Sequence, residues 1–205
     1  MQKRFFEMGA DVVILSEIAP SSQDFLEAFK LAASKKILVF PNSANSILAS
    51  MQAGSLYKNA KVTVINCRSM TECYATLPII DYSGTLDEAV AAANDTLSGI
   101  YQISLYHAIK DVAYGNKKIS KNDFFALEGN KLLDVCETLE KITTVSIKNA
   151  INDREYAVIT LFYGRYIAAE FMEGLVEKIE AMDCDAEIVV VPTYETAYDI
   201  TISFE

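Results

Sequence analysis

Apolar positions in this chain fall into short unbroken runs, each followed by a polar loop and a stretch of helical period. Residues 37–40 (ILVF) show the pattern most clearly. The run stops at Pro41-Asn42-Ser43, and a helix-compatible segment with Ile47, Leu48 and Met51 follows at once. A continuous apolar run of this kind is a strand buried on both faces, as in parallel sheets covered by helices. Pro41 has no N–H to give a ladder, so the strand ends there. The same unit precedes and follows it. Residues 11–15 (DVVIL) form an apolar strand and residues 16–22 a polar loop. Residues 23–33 then form a helix with Phe25, Ala28, Phe29 and Ala32 on one face. Ser21 and Asp24 stand at capping spacing before it. Residues 61–66 (KVTVIN) make the third strand, followed by Cys67-Arg68-Ser69 and a helical stretch through Leu77. Three strand–loop–helix units in succession predict a parallel sheet with right-handed crossovers. Their post-strand loops then share the edge at which open α/β sheets bind ligands and partners.

After residues 78–84, which cross between lobes, the pattern changes. Thr85-Leu86-Asp87-Glu88 is a capping box, and Leu86, Val90, Ala93 and Leu97 continue at helical spacing. Tyr101, Ile103, Leu105, His107 and Ile109 then alternate with polar neighbours, which is strand period. The turn signals Tyr114-Gly115-Asn116 and Glu128-Gly129-Asn130 bracket another strand at residues 123–127. A helix is predicted over residues 135–150 with Leu139 and Ile142 inward, and an almost wholly apolar strand over 156–163. A second helix covers 167–182 with Phe171, Leu175, Ile179 and Met182 on one side, and strands at 186–191 and 198–204 follow. The expected fold class is α/β with two lobes. The first, residues 1–84, is a parallel three-layer unit; the second, residues 85–205, is a mixed sheet packed by helices.

Composition narrows the functional classes. A chain of 205 residues, 51% of them apolar, is enough for one large domain or two small lobes. No apolar run approaches the roughly 18 residues that span a bilayer. Glu7 and Asp11 interrupt the basic N-terminal stretch before any signal-like core develops. The formal net charge is −10, with no Lys/Arg cluster longer than two. That argues against binding a nucleic-acid backbone or an anionic membrane and permits a basic protein partner. Cys67, Cys73, Cys136 and Cys184 are scattered without a CxxC pair, and His107 is the single histidine. Free thiols in a reducing cytoplasm are expected, not a zinc site.

Phosphoryl transfer needs a phosphate-cradling backbone, metal-binding carboxylates and a positioned base. The chain has no GxxxxGK and no GxGxxG. Its acidic pairs outside helices, Asp183/Asp185 and Asp153/Glu155, lie between a helix and a strand, where solvated turn residues are common. Arg154 would oppose a cation at the second pair. His107 shares a strand face with Ile103, Leu105 and Ile109, so a buried or half-buried structural histidine is expected. No GxSxG elbow supports a hydrolase. The candidate binding residues are therefore those of the loop edge: Ser21, Ser22, Asn42, Asn45, Arg68 and Ser69. Arg68 is suited to pair with a carboxylate through two parallel hydrogen bonds, and Glu17 and Glu72 are the acidic contacts available to a basic partner. Serine and asparagine also cap helices and close turns for ordinary reasons, and both readings stand at these positions.

Five segments, in order, resemble the C-terminal domain of the FakA family of bacterial fatty acid kinases, long grouped with dihydroxyacetone-kinase-like proteins. FFEMGADVVIL resembles its entry into the first domain strand. VFPNSANSILASMQA resembles its LPNNKNIILAAEQA segment through Pro41, Asn42, Asn45, Ile47, Leu48, Ala49 and Gln52. SLYHAIKD resembles VTYAVRD, LFYG resembles IFYG, and YDITISFE is similar to YPYIISVE. The resemblance implies a two-lobed fold like that of the DegV fatty-acid-binding proteins. It also implies a non-catalytic docking domain behind a kinase domain and a central linker domain of the same polypeptide. Its partner would be a DegV-like fatty-acid-carrier protein, and ATP and Mg would belong only to the parent's kinase domain. Met1 falls within a helical segment, which fits a fragment of a longer protein. The first and third loops depart from the family's GGQTMNPS and PTKTIPQG, reading SEIAPSS and NCRSMTEC here, and the lost glycines alter any close backbone approach to a ligand. The alternative is a DegV-like carrier holding a fatty acid or other small carboxylate in an enclosed apolar cavity between its lobes. A self-sufficient dihydroxyacetone-type kinase finds no support in these residues.

Overall fold

A computed structural model describes every residue except Glu17, Asn116, Asp183, Tyr194 and Glu195. Contacts divide the chain into two units, Met1–Gly99 and Ile100–Glu205. The sequence pattern places this division after Gly84. The difference is helix α5 (Leu86–Gly99), whose buried Ala89 and Ala93 pack with Ile65, Cys67, Cys73 and Ile80 of the first unit.

The first unit contains α1 (Gln2–Glu7), α2 (Ser22–Ala32), β1 (Lys36–Val39), α3 (Ala44–Leu56), β2 (Lys61–Val64), α4 (Met70–Thr76), a 3-10 turn (Leu77–Ile79) and α5. β1 and β2 pair in parallel, with Ile37 opposite Val62 and Val39 opposite Val64. β1 is covered on both faces, as its unbroken apolar run requires. Ile37 and Val39 join Phe25, Phe29 and Ala53 on one side, while Leu38 and Phe40 pack toward Ile65, Cys67 and Cys73 on the other. The first of the three expected strands is not formed. Residues 11–15 join no sheet, and the parallel sheet has two strands.

The second unit is built on six strands in the order β7-β6-β3-β10-β8-β9. These are β3 (Tyr101–His107), β6 (Phe124–Glu128), β7 (Lys131–Cys136), β8 (Val158–Tyr163), β9 (Glu187–Pro192) and β10 (Ile200–Phe204), with a small hairpin β4 (Val112–Tyr114) and β5 (Lys117–Ile119) between β3 and β6. All neighbouring pairs are antiparallel except β8 and β9, which are joined through α7 (Ala169–Glu180). Residues from α7 and α6 (Leu139–Asp153) bury Ile142, Ile147, Met172, Leu175 and Ile179 against Ile103, Leu105, Ile159, Leu161 and Ile202. Phe204 is fully buried, with the rings of Tyr101 and Tyr156 at 5.5 and 5.0 Å. Burial of such a side chain stabilises by roughly 1.5–3 kcal/mol.

The helix expected from residue 135 starts at Leu139, and the chain before it is strand β7. Gly129, at φ +56°, closes a tight turn that sends the chain back along β6. Thr138 then begins the helix by accepting a hydrogen bond from the Lys141 N–H at 3.2 Å.

Candidate functional site

The parallel pairing of β1 and β2 brings the loops that follow them to one edge, and each helix that follows starts from a serine. The Ser43 hydroxyl accepts from the Ser46 N–H at 3.2 Å at the start of α3. The Ser69 hydroxyl accepts from the Glu72 N–H at 3.1 Å at the start of α4. Ser21 does the same for α2, accepting from the Asp24 N–H at 3.3 Å. Asp24 returns the favour, its carboxylate accepting from the Ser21 N–H and hydroxyl, each at 2.7 Å. Those bonds, the hydroxyl's first, hold the Asp24 carboxyl below its ordinary value.

Much of the polar chemistry expected at this edge is therefore engaged within the chain. The Ser22 hydroxyl donates to Gln52 Oε1 at 2.6 Å, tying α2 to α3. Asn42 Oδ1 accepts from the buried Ser46 hydroxyl at 3.2 Å. The Glu72 carboxylate accepts from the Arg68 N–H, so it serves its own turn. Asn45 and the Arg68 side chain are exposed and have no hydrogen-bonding or ionic partner among the described residues. Glu17 lies outside the described residues. Exposed apolar residues on the same segments carry no polar signal in the sequence: Leu15 is 68% accessible, Ile18 80%, Leu48 68% and Met51 57%. Leu48 and Met51 stand in the sequence as part of an ordinary helix face, and only the packing leaves them outward.

Two thiols sit beneath the edge. Cys67 and Cys73 are buried and free. The Cys73 thiol donates to Pro41 O at 3.1 Å, linking α4 to the end of β1. Contact with the Cys67 thiol, and then burial, push the Cys73 thiol well above its ordinary value. Among the described residues no group of three or more His, Cys, Asp or Glu side chains is arranged to hold a metal ion, and Asp183 lies outside that set.

His107 differs from expectation. It is the last residue of β3 and is exposed, stacked on Phe124 with centroids 4.9 Å apart. The strand stops there, so Ile109 does not continue its face and is 78% accessible. Asp199 lies beside it. Burial raises the Asp199 carboxyl above its ordinary value, against the opposing pull of His107.

The first unit also holds a cavity of about 540 Å³. Residues 9–14 form one side and residues 36–41 of β1 and its exit another; Phe25, Phe29, Leu77 and Ile80 complete its apolar walls.

The FakA-like C-terminal family of fatty acid kinase matches residues 1–205, the whole chain. An uncharacterized protein of Staphylococcus aureus (strain bovine RF122 / ET3-1) is 26% identical over 204 residues, covering 98% of this chain and 37% of that protein. The chain thus spans little more than a third of the length of the curated relatives it matches. Among solved structures, the DegV family protein Cg2579 from Corynebacterium glutamicum superposes with a TM-score of 0.68 at 16% identity. That match covers 91% of this chain and 81% of the other. The Streptococcus pneumoniae fatty acid kinase B3 protein, loaded with linoleic acid, gives 0.67 at 17% identity, over 91% and 76%. These likenesses establish a DegV-like fold.

Proposed function

As the chain belongs to the FakA-like C-terminal family of fatty acid kinase, we propose that it is the non-catalytic docking domain of a multi-domain fatty acid kinase. Its partner is a DegV-like fatty-acid-carrier protein, and ATP and Mg act in a kinase domain of the same parent polypeptide. The observation that carries this reading is the make-up of the edge formed by the loops after β1 and β2. Most of its hydroxyl and carboxylate groups are engaged in starting helices, which leaves a rigid rim rather than a nest of reactive groups. What remains available is Arg68 and Asn45, with exposed Leu48 and Met51 on the same helix as Asn45. Apolar side chains ringed by a few polar ones suit a protein surface.

Titration calorimetry against a purified DegV-like carrier tests this. Arg68→Glu is expected to weaken binding several-fold at low salt, with the effect shrinking as ionic strength rises, because rim charges act through encounter and screening. Lys58→Glu, beyond the far end of α3, is the control and should bind as wild type. If Arg68→Glu, Glu17→Lys and Glu72→Lys all bind as wild type, the loop edge is turn chemistry alone and the interface belongs on the acidic helix α7. Stoichiometric fatty acid extracted from the purified chain would instead establish the carrier reading.

A further inference from the structure

Residues 28–71 hold six of the 18 lysines and arginines and none of the 28 aspartates and glutamates. In a chain of net charge −10 this stretch is a separate positive region. The fold gathers five of the six at one end of the first unit. β1 and β2 run parallel, and α2 and α3 each finish just before one of them. Lys30 lies in the last turn of α2, Lys35 and Lys36 where β1 begins, and Lys58 and Lys61 between the end of α3 and the start of β2. Arg68 alone goes to the opposite edge, with the loops that follow the strands. The Phe29 and Tyr57 rings, 5.5 Å apart, join the two helix ends, and the Tyr57 hydroxyl donates to Phe29 O at 3.3 Å. Helix ends account for part of this charge. Lys58 Nζ donates to Ser55 O at 2.6 Å and Lys35 Nζ to Asn59 O at 3.4 Å, and cations suit a helix C-terminus. They do not account for Lys36. It stands opposite Lys61 across the parallel pair, on strands about 4.8 Å apart, where like charges disfavour the sheet. Lys61 reaches Asp87 at 3.8 Å, with both side chains exposed. The side chains of Lys30 and Lys36 are exposed and have no hydrogen-bonding or ionic partner among the described residues. Beside them the same helix ends leave Leu31 and Leu56 exposed.

We infer that this lysine-ringed end of the first unit docks an acidic amphipathic segment of a partner protein. The segment's apolar residues cover Leu31 and Leu56, and its carboxylates meet Lys30, Lys36 and Lys61. Charge complementarity fixes the sign of the partner, and the outward leucines supply the apolar contact that charges alone lack. A carboxylate placed between Lys36 and Lys61 also relieves their repulsion, so the pair that disfavours the free sheet becomes a clamp in the complex. The occupant is a polypeptide segment rather than a bilayer. An anionic membrane is an extended surface and confronts the acidic remainder of the chain as well. A segment meets only the positive end, because screening confines exposed charges to about 8 Å at physiological salt. This surface lies at the other end of the strands from the loop edge proposed for the carrier, and it does not rest on that proposal.

An NMR titration of the intact chain with a short synthetic amphipathic peptide of leucine, glutamate and alanine tests the inference. Amide shifts are expected at residues 30–36 and 55–61. A control peptide with glutamine in place of every glutamate should bind far more weakly. Lys30→Glu and Lys36→Glu, made together at two exposed positions, should weaken the glutamate peptide by about tenfold or more. The wild-type affinity should fall as salt rises. Shifts centred elsewhere, such as the lysines of the β4–β5 hairpin, overturn the inference, as do equal affinities for the two peptides or an affinity unchanged in the variant. Two parallel measurements on the wild type name the rival occupants. Sedimentation with phosphatidylglycerol vesicles by a chain that ignores the peptide assigns the surface to a membrane. A dimer in the ultracentrifuge that the Lys30→Glu, Lys36→Glu variant dissociates assigns it to a second copy. Either result overturns the acidic segment as occupant, and neither depends on whether a carrier protein binds at the loop edge.

Discussion

Replacing the three serines that open α2, α3 and α4 separates helix capping from partner contact. Ser21, Ser43 and Ser69 each accept one backbone hydrogen bond from the residue three positions on, at 3.3, 3.2 and 3.1 Å. Losing such a cap to alanine typically costs about 1 kcal/mol, whereas glycine, which tolerates the same backbone, costs only a few tenths. Each alanine variant is therefore expected to lose about 1 kcal/mol. Ser69→Ala should fall toward the upper end, about 2 kcal/mol, because its hydroxyl also bonds the hydroxyl of buried Thr71 at 2.8 Å. In a chain of this length about 1 kcal/mol moves the melting midpoint by roughly 2–4 °C. Thermal melts followed by circular dichroism should place the alanine variants that far below wild type and the glycine variants close to it. Carrier affinity, titrated below all midpoints, should stay unchanged. Alanine variants that melt with the wild type refute the capping account. If they also lose carrier binding, the hydroxyls are contacts for the partner.

Three further outcomes follow from the same geometry. The Asp24 carboxyl titrates below its ordinary 3.8, so its contribution to stability is present above that pH and lost as pH falls through the lowered value; Ser21→Ala should return its NMR titration midpoint toward 3.8, and an unmoved midpoint would show that Ser21 is not the cause. A thiol reagent on the native chain should modify half-buried Cys184 first and Cys73 only after unfolding, because Cys73 is buried and its thiolate disfavoured; equal rates at the two would contradict this. His107→Asn should fold normally and leave the activity of the parent kinase proposed above within a few-fold, whereas a loss of about two orders of magnitude in a folded variant would make His107 catalytic.

The α/β class and nearly every helix are legible in the chain because period and caps agree: Ser21 with Asp24, Thr85 with Glu88, and the apolar faces of α2 and α7. The first of the three strands expected in the first unit is legible as a pattern and absent as a paired element. An apolar run marks residues 11–15 as strand-like, but pairing depends on a neighbour's edge that no local pattern encodes. β7 escapes the pattern because Leu132, Leu133, Val135 and Cys136 run apolar into a helix, and only the turn at Gly129 and the cap at Thr138 divide strand from helix. At the candidate site the residue types are visible and their duties are not. Glu72 reads as available to a partner, yet its carboxylate is held by the Arg68 N–H. The outward Leu48 and Met51 are hidden because an exposed apolar residue has the same spacing as a buried one.

β10 occupies the centre of the second sheet, with Ile202 between Ile103 of β3 and Leu161 of β8. That position orders the protein's birth on the ribosome. Ser104 and Thr201, whose hydroxyls meet across the β3–β10 seam, are 97 residues apart. At translation speeds of roughly 5–20 residues per second, β3 waits about 5–20 s for its neighbour to be made. The first unit meets its β1–β2 pairing within some 25 residues and has no such delay. During the wait the inner flank of β3 is an unpaired edge beside exposed apolar side chains, open to the wrong strand. Newly made chains are thus most vulnerable to aggregation just before the last strand is added, and substitutions in β10 should reduce the yield of soluble protein more than equally buried substitutions in α3.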